Sequence, residues 1–409
     1  MQASLGGWPI LRFVSLAVFI PVRYGSRYSL LGAMAGELGA AFARAGARVN
    51  PEGEVSARAG LFLFLNFPED YHTFSRWARL GPDGLACPGT ALIHFFVDHP
   101  LALPASIMNQ LCKLPHYRLL MPCADDTHLL RLRWPTIKHL RCWHGAPPSA
   151  LCDAAGLERG HAAAPEQGGR DIDLLVAGSI HTTEELIRLR NAIPVGVRGA
   201  ADEMVRFMLA APHAAFGQAF ELCAPSGVYG SDQWQYLQIL WRYVTAALNR
   251  ERRGRLVRAM QGVRTVVIGT EAWREFCTGT IEYRGEASYE RLPGWFSRAR
   301  TCLAWGPTQF VHSFSERLLL ALAGGCACAA DDRALVRAEF SSCVDLFDAA
   351  SPESARASVE RLLADRALAA AMGARGRSLV ETRHLWDHRL EVFGAAMNDG
   401  LRTTIAHAA

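Results

Sequence analysis

Short apolar segments alternate with helix-like segments along most of this chain of 409 residues. A segment rich in small and apolar residues, 30–49, follows the first apolar run and is typical of a helix packed on a sheet. Apolar strands that alternate with helices predict a parallel sheet covered on both faces. The strand-like runs of the first half are residues 16–22, 61–67, 91–98, 117–122 and 137–143.

The same pattern begins again in the second half. A helical region, roughly 182–262, separates the first two strand-like runs and contains the aromatic stretch 233–244. We expect this region to be a buried helical insertion; contact with a ligand or partner is the alternative interpretation. The strand-like runs of the second half are residues 173–179, 265–270, 281–285, 301–305, 326–330 and 344–348.

A small, polar and Gly-rich stretch, 153–170, separates the two halves and is the best linker candidate. The length also favours two domains. We therefore predict an α/β protein with two Rossmann-like domains, 1–165 and 166–385, followed by a C-terminal helix in 386–409. Their parallel sheets should face a common crevice, with the helical insertion in the C-terminal half.

The segment 301–332 reads as strand, loop, helix, Gly-Gly stop and strand. Polar residues gather where the helix should begin: Ser313, Ser315, Glu316 and Arg317. A helix start offers free N–H groups and a positive dipole end, and Arg317 adds a cation. This combination suits a phosphate-bearing ligand and makes a nucleotide-linked substrate the first hypothesis.

Ser313 and Glu316 also have the spacing of a capping box. In that motif the serine hydroxyl accepts a first-turn N–H while the glutamate reaches back to the cap N–H. Capping alone would explain both residues. At this point, capping and ligand binding both remain open.

This segment resembles the late strand–loop–helix of GT-B glycosyltransferases. Residues 320–325, LALAGG, match their E-A-M/L-A-x-G turn, and Ser315-Glu316-Arg317 resembles the H-E-R triplet of the CgeB-like, spore-maturation-type transferases of the glycosyltransferase family 1 kind. The paired glutamates of many retaining members are absent here, because their positions fall on His312 and Leu320.

The resemblance implies a glycosyltransferase that moves a sugar from a nucleotide-sugar donor to a glycan, protein or lipid acceptor. The donor would lie in the C-terminal domain and the acceptor in the N-terminal domain, on which the last helix would pack back. No cofactor is expected. The alternatives are a nucleotide-sugar epimerase or hydrolase of the same fold, and a non-catalytic partner subunit.

The donor side is predicted from strand ends, where open α/β sheets bind ligands. Besides the helix start, the resemblance places the nucleotide at strand-end glycines. For Trp305, stacking on a sugar or base and packing in the core both stay open. The loop after the first strand would face phosphates or acceptor. The candidates outside the helix start are Gly178, Ser179, Gly269, Gly285 and Trp305, with Gly25 and Ser26 as the phosphate loop.

Polar residues at strand ends of the N-terminal half are the candidates for catalysis. Asp98 and His99 follow a very apolar strand, and Asp98 is the leading candidate for an acceptor-side base. Asp125, with its neighbour Asp126, and His144 follow two further strands. Turn capping explains these residues equally well.

Composition narrows the function classes. The formal charge of +4 comes from basic residues spread along the chain, which disfavours nucleic-acid binding. The 11 cysteines lie mostly in apolar runs and suggest buried thiols in a reducing cytosol. We expect a cytoplasmic protein without a transmembrane segment, leaving peripheral membrane contact open. Asp171 and Asp173 have the spacing of a metal-binding Asp-x-Asp motif, but they stand at the beginning of their strand rather than after its end, so we predict metal-independent chemistry.

Overall fold

A computed structural model of the protein describes residues 16–21, 29–50, 61–66, 91–151, 170–224 and 234–408. Within them the chain forms two six-stranded sheets, and every strand pairing is parallel. Helices pack against both sheets. The architecture is therefore the predicted α/β arrangement of two parallel sheets.

The first sheet has the order β2-β1-β3-β4-β5-β6. Two of its strands, Ala91–Phe95 and Tyr117–Met121, are buried along their whole length, as expected for apolar runs covered on both faces. The strands are β1 Ala17–Phe19, β2 Arg48–Asn50, β3 Leu61–Leu65, β4 Ala91–Phe95, β5 Tyr117–Met121 and β6 His139–Arg141.

The second sheet has the order β12-β11-β10-β7-β8-β9. This is the doubly wound order in which the strand sequence reverses between the first and fourth strands, here β7 and β10. The strands are β7 Ile172–Ala177, β8 Thr265–Ile268, β9 Ile281–Tyr283, β10 Ala299–Ala304, β11 Ala327–Asp331 and β12 Val344–Phe347.

Thirteen α-helices lie in the described part of the chain. Those of the first half are α1 Leu30–Arg44, α2 Ala105–Leu111 and α3 Thr127–Arg133. The insertion contributes α4 Thr183–Ala192, α5 Val195–Ala210, α6 Phe216–Cys223 and α7 Trp234–Ala259. The remainder are α8 Leu292–Arg298, α9 Glu316–Ala323, α10 Ala334–Phe340, α11 Pro352–Ala364, α12 Arg366–Leu379 and α13 Leu390–Ala408.

One helix of the first half is shorter than its apolar pattern predicted. The helix expected over 30–49 ends at Arg44, and Arg48–Asn50 forms the edge strand β2. Gly46 makes this break possible, because its φ of 91° lies in the left-handed region that ends helices. The apolar pattern missed the strand because it has three residues and no buried side chain.

The helical insertion packs on the first half and shares a core with it. The rings of Trp134 and Trp234 meet edge to face at 4.9 Å between centroids, and His99 stacks on Trp241 at 5.1 Å. The Gln238 amide donates to the Leu101 carbonyl over 2.8 Å. The aromatic stretch 233–244 therefore supplies part of the core that joins the two halves.

The C-terminal helix α13 also lies against the first sheet. Phe393 contacts Phe42 and Phe95 with centroid distances of 5.9 and 5.8 Å. Arg118, which is almost fully buried, donates to the carboxylate of Asp399. The last described helix thus packs on the first half. The domain boundaries at residues 165 and 385 stay predictions.

Candidate functional site

A crevice of about 430 Å³ opens at the carboxyl ends of both sheets. Its second-half side lies at the strand reversal between β7 and β10, which is where doubly wound sheets bind ligands. About half of the described lining is apolar or glycine, and the rest is polar: Asn66, Asp98, His144, Ser179, His181, Asn249, Arg253, Tyr289, Gln309, Glu316 and Arg317.

Two glycines at the ends of β7 and β8 allow the backbone to pack closely at the crevice floor. A Cβ on Gly178 would overlap the guanidinium of Arg317, and a Cβ on Gly269 would overlap the Gly178 carbonyl oxygen. That oxygen also accepts a hydrogen bond of 2.7 Å from Trp273 Nε1. Both predicted glycines line the crevice, and neither position has room for a side chain.

Arg253 of α7 is a site residue that the sequence analysis missed. Its guanidinium is buried, donates to the Ser179 carbonyl and lies 5.5 Å from the centre of the Trp305 ring. Its Nε has no hydrogen-bond partner among the described residues. Burial, together with the charge of Arg317, places the pKa of Arg253 well below its ordinary value. The arginine is therefore a buried cation with an incomplete set of partners.

A signal for Arg253 was present in the sequence. The buried stripe of α7 continues through Leu256 and Val257, and Arg253 stands in that stripe at helical spacing. A charged residue is rarely buried without a partner. A cation on the core-facing side of an amphipathic helix therefore indicates either an ion pair or a ligand.

Glu316 and Arg317 form the first turn of α9 and face the crevice. The Arg317 Nε lies 3.4 Å from the Glu316 carboxylate, and its Nη1 donates to the Ala177 carbonyl over 3.1 Å. Burial by itself would raise the pKa of Glu316, but the charges of Arg317, His144 and Arg253 outweigh burial and lower it. Glu316 is consequently an ionised carboxylate beside two guanidinium groups.

The predicted capping box at the start of this helix is wrong. The helix begins at Glu316, its cap residue is Ser315, and the Ser315 side chain makes no capping hydrogen bond within the described structure. Ser313 is fully buried and its hydroxyl donates to the Pro122 carbonyl over 3.1 Å. The Ser313 hydroxyl thus contributes to contact between the halves, and the first-turn N–H groups of α9 lack the predicted serine acceptor.

The first half contributes Asp98, Asn66 and His144 to the lining. The Asp98 carboxylate accepts the His99 N–H over 3.0 Å, and burial raises the pKa of Asp98. Asn66, which sequence reasoning missed, has a φ of 39° and accepts the Val97 N–H over 2.9 Å. Burial is also the largest influence on His144 and lowers its pKa, against the opposing charge of Glu316.

Two of the predicted catalytic residues lie apart from the described lining. His99 Nε2 is 2.8 Å from the Asp126 carboxylate, which also accepts the Gly217 N–H of α6 over 2.9 Å. Asp125 accepts the backbone N–H of His312 over 2.9 Å and lies 2.6 Å from its Nδ1. These contacts connect the first half to the second, so the loop after β5 is a joint between the two halves.

The remaining donor-side candidates lie in three different places: in the core, beside the crevice lining and outside the described residues. Trp305 is 7% exposed and packs against Trp273 at 6.4 Å between centroids, so it belongs to the core rather than offering a stacking face. Gly285 has a φ of 85° and its carbonyl accepts the Gly269 N–H over 3.0 Å, which places it next to the lining. Gly25 and Ser26 lie outside the described residues.

Two further features of the described residues bear on metal binding and on membrane insertion. Among the described residues no group of three or more His, Cys, Asp or Glu side chains is arranged to hold a metal ion. Within the same residues no helix combines the length and apolar character that crossing a membrane requires.

The fold is of the GT-B glycosyltransferase type. Residues 250–394 match a family model described as "Glycosyl transferase-like". The solved structure of sucrose-phosphate synthase from Thermosynechococcus elongatus superposes with a TM-score of 0.50 at 12% identity, covering 97% of this chain and 100% of that one. A glycosyltransferase from Rickettsia africae gives a TM-score of 0.48 at 8% identity, with coverages of 95% and 99%. A sequence search of curated proteins found no match.

Proposed function

We propose that the protein is a glycosyltransferase that takes a sugar from a nucleotide-sugar donor. The observation that carries the proposal is the convergence of Arg253, Arg317 and the start of α9 on the glycine-floored end of β7. The match of residues 250–394 to a glycosyl transferase-like model supports the same activity. The triplet Ser315-Glu316-Arg317 supports the CgeB-like subgroup, since it occupies the start of this helix.

The charges at this end of the crevice favour an anionic ligand. Two guanidinium groups face the single carboxylate of Glu316, and Arg253 is a buried cation whose pKa is far below its ordinary value. A diphosphate would accept hydrogen bonds from both arginines and would offset the cost of burying them. The dipole of α9 would add a smaller attraction, about 0.3–1 kcal/mol.

In the proposed reaction the acceptor oxygen bonds to the sugar as the bond from the sugar to the diphosphate oxygen breaks. The arginines hold the departing diphosphate and stabilise the negative charge that grows on it. Asp98 is the proposed acceptor-side base: it lies at the crevice on the opposite sheet, and its raised pKa makes its carboxylate a better proton acceptor. The acceptor would bind to the N-terminal domain, 1–165, and the donor to 166–385. We propose metal-independent chemistry, since the two arginines supply the positive charge.

The first test is a thermal-shift panel with UDP, GDP, ADP and dTDP on wild type and Arg317→Ala. A nucleotide at 100 times its Kd should stabilise the wild type by about 2.7 kcal/mol. The matched control is Arg300→Ala, because Arg300 lies in β10 of the same sheet and pairs with Asp173 away from the crevice. The proposal expects a shift in wild type and control and a much smaller one in Arg317→Ala. If none of the four nucleotides shifts the melting temperature of the wild type, the proposed function is refuted.

The second test addresses catalysis. With the donor class known, release of the nucleoside diphosphate is followed for wild type and Asp98→Asn, with and without EDTA. We expect turnover that survives EDTA and falls about 100-fold in Asp98→Asn, the usual size of a general-base effect. Turnover that requires an added divalent ion would overturn the metal-independent mechanism, and full activity of Asp98→Asn would remove Asp98 from it.

A further inference from the structure

A buried ion pair lies directly behind one wall of the crevice. Asp331 ends β11, and its carboxylate Oδ2 is 2.6 Å from the Nε of Arg333. Asp331 is 4% exposed and Arg333 5% exposed. Neither residue lines the crevice.

Both members of the pair hold the backbone that connects β10 to α9. The other carboxylate oxygen of Asp331 accepts the Gly306 N–H over 2.7 Å. Arg333 Nη1 donates to the Pro307 carbonyl over 3.0 Å and also to the Phe310 carbonyl. Three backbone groups within five residues are therefore bonded to one ion pair.

The connection is also shaped around the guanidinium. A Cβ on Gly306 would overlap the Arg333 guanidinium, so the backbone passes where a larger residue could not. On its other side the same connection presents Pro307, Gln309 and Phe310 to the crevice. It leads directly to Glu316 and Arg317, whose placement depends on the path of this backbone.

A buried ion pair is by itself weak evidence for a stabilising role, because desolvation opposes the attraction. This pair differs from an isolated ion pair because its remaining hydrogen bonds go to the backbone of the crevice wall. We infer that Asp331 and Arg333 are positioning residues for the proposed donor site: they fix the β10–α9 connection and thereby the crevice wall and the start of α9. This inference rests on the proposed function.

The test uses Arg333→Lys and Asp331→Asn in the full chain. Lysine keeps the charge near Asp331 but cannot reproduce the fork that also reaches the two carbonyls. The control is Asp173→Asn, which breaks another Asp–Arg pair of the same sheet, with Arg300, away from the crevice. Two quantities are measured well below each Tm: amide hydrogen exchange of residues 306–318, and the Kd for whichever of UDP, GDP, ADP or dTDP binds the wild type.

We expect both variants of the buried pair to raise that Kd about 10-fold, since small displacements of binding groups have large effects. Exchange over 306–318 should accelerate by about 10-fold, because the local opening free energy falls. Asp173→Asn should leave the Kd and this exchange unchanged. A positional role predicts these effects at temperatures where every variant is folded, whereas a purely structural role predicts a lower Tm alone.

Arg333→Lys with wild-type Kd and wild-type exchange would overturn the inference. A variant with faster exchange but unchanged Kd would also overturn it, because the connection would then be irrelevant to the ligand. If none of the four nucleotides binds the wild type, the proposed function fails, and the donor role fails with it. The exchange measurement in that case still decides separately whether the pair fixes the connection.

Discussion

Two polar loops at carboxyl ends of parallel strands have opposite electrostatic character. In the loop after β5, the carboxylates of Asp125 and Asp126 are paired with His312, His99 and a backbone N–H. At the start of α9, two guanidinium groups face one carboxylate, and Arg253 retains a buried N–H without a described partner. Native proteins satisfy nearly all buried polar groups, so the unpartnered N–H of Arg253 fits the proposed ligand site, whereas the paired carboxylates form a joint between the halves.

The largest expected effect is on the joint. Asp126→Ala leaves His99 and the Gly217 N–H without their acceptor in a buried position, so we expect it to lower the free energy of unfolding by about 3 kcal/mol. Urea denaturation measures this. Arg44→Ala, which breaks the exposed pair with Asp387, is the control and should cost under about 1 kcal/mol. Equal effects in the two variants would refute the assignment of Asp126 to a structural joint.

The second prediction concerns the other side of the comparison, the buried cation Arg253. Arg253→Met removes a buried cation but keeps a long apolar side chain, so the unfolding free energy of the ligand-free protein should stay within about 1 kcal/mol of wild type. The stabilisation of about 2.7 kcal/mol by saturating nucleoside diphosphate should vanish. Thermal unfolding with and without UDP, GDP, ADP or dTDP measures both. If the nucleotide still stabilises the variant, Arg253 has a structural role like that of Asp126 and does not bind the ligand.

A third prediction concerns pH. Burial, with the charge of Glu290 also contributing, raises the pKa of Glu37 from 4.5 to about 7 despite the hydrogen bond from Trp386 Nε1 and the neighbouring Tyr289 hydroxyl. Between these values the folded state holds a proton that the unfolded state has lost, so stability falls as pH rises from about 4.5 to about 7.

Glu37→Gln should remove this contribution. We expect the variant to gain on the order of 2 kcal/mol relative to wild type between pH 5 and pH 8, since a tenfold difference in proton affinity between the folded and unfolded states corresponds to about 1.4 kcal/mol. Unfolding by urea at several pH values measures the difference. Parallel stability–pH curves for the two proteins would show that Glu37 ionises normally.

The smallest effect separates two serines two positions apart. Ser313→Ala deletes a buried hydrogen bond to Pro122 and should cost about 1 kcal/mol. Ser315→Ala removes a hydroxyl that caps nothing in the described structure and should change stability by less than about 0.5 kcal/mol. A larger loss for Ser315 than for Ser313 would show that the Ser315 hydroxyl caps the helix after all.

Much of the fold was predictable from local pattern. The five strand-like runs of the first half and the six of the second each correspond to an observed strand, because buried parallel strands are continuous apolar runs. The strand β2 was missed, since three exposed or half-exposed residues after Gly46 carry no such signal. The insertion at 182–262 was recognised as helical from its length and spacing.

The candidate site was predictable in part. Gly178, Gly269, Glu316 and Arg317 were selected by their positions at strand ends and a helix start, and all four line the crevice. His99 and Asp125 satisfied the same rule but contact the other half of the molecule. Position at a strand end identifies the correct edge of a sheet, yet the direction of each side chain depends on what packs beside it.

The sequence alone determined most of the strands and helices, the parallel character of the sheets and the edges at which polar groups gather, because hydrophobic periodicity and helix-end signals act over a few residues. Which polar groups remain without partners was decided by the tertiary structure. Arg253 reaches the crevice from a helix distant in sequence, and Asp331 and Arg333 hold a connection more than 20 residues earlier. Burial and pairing depend on contacts between distant segments, so they become defined when the two halves pack together.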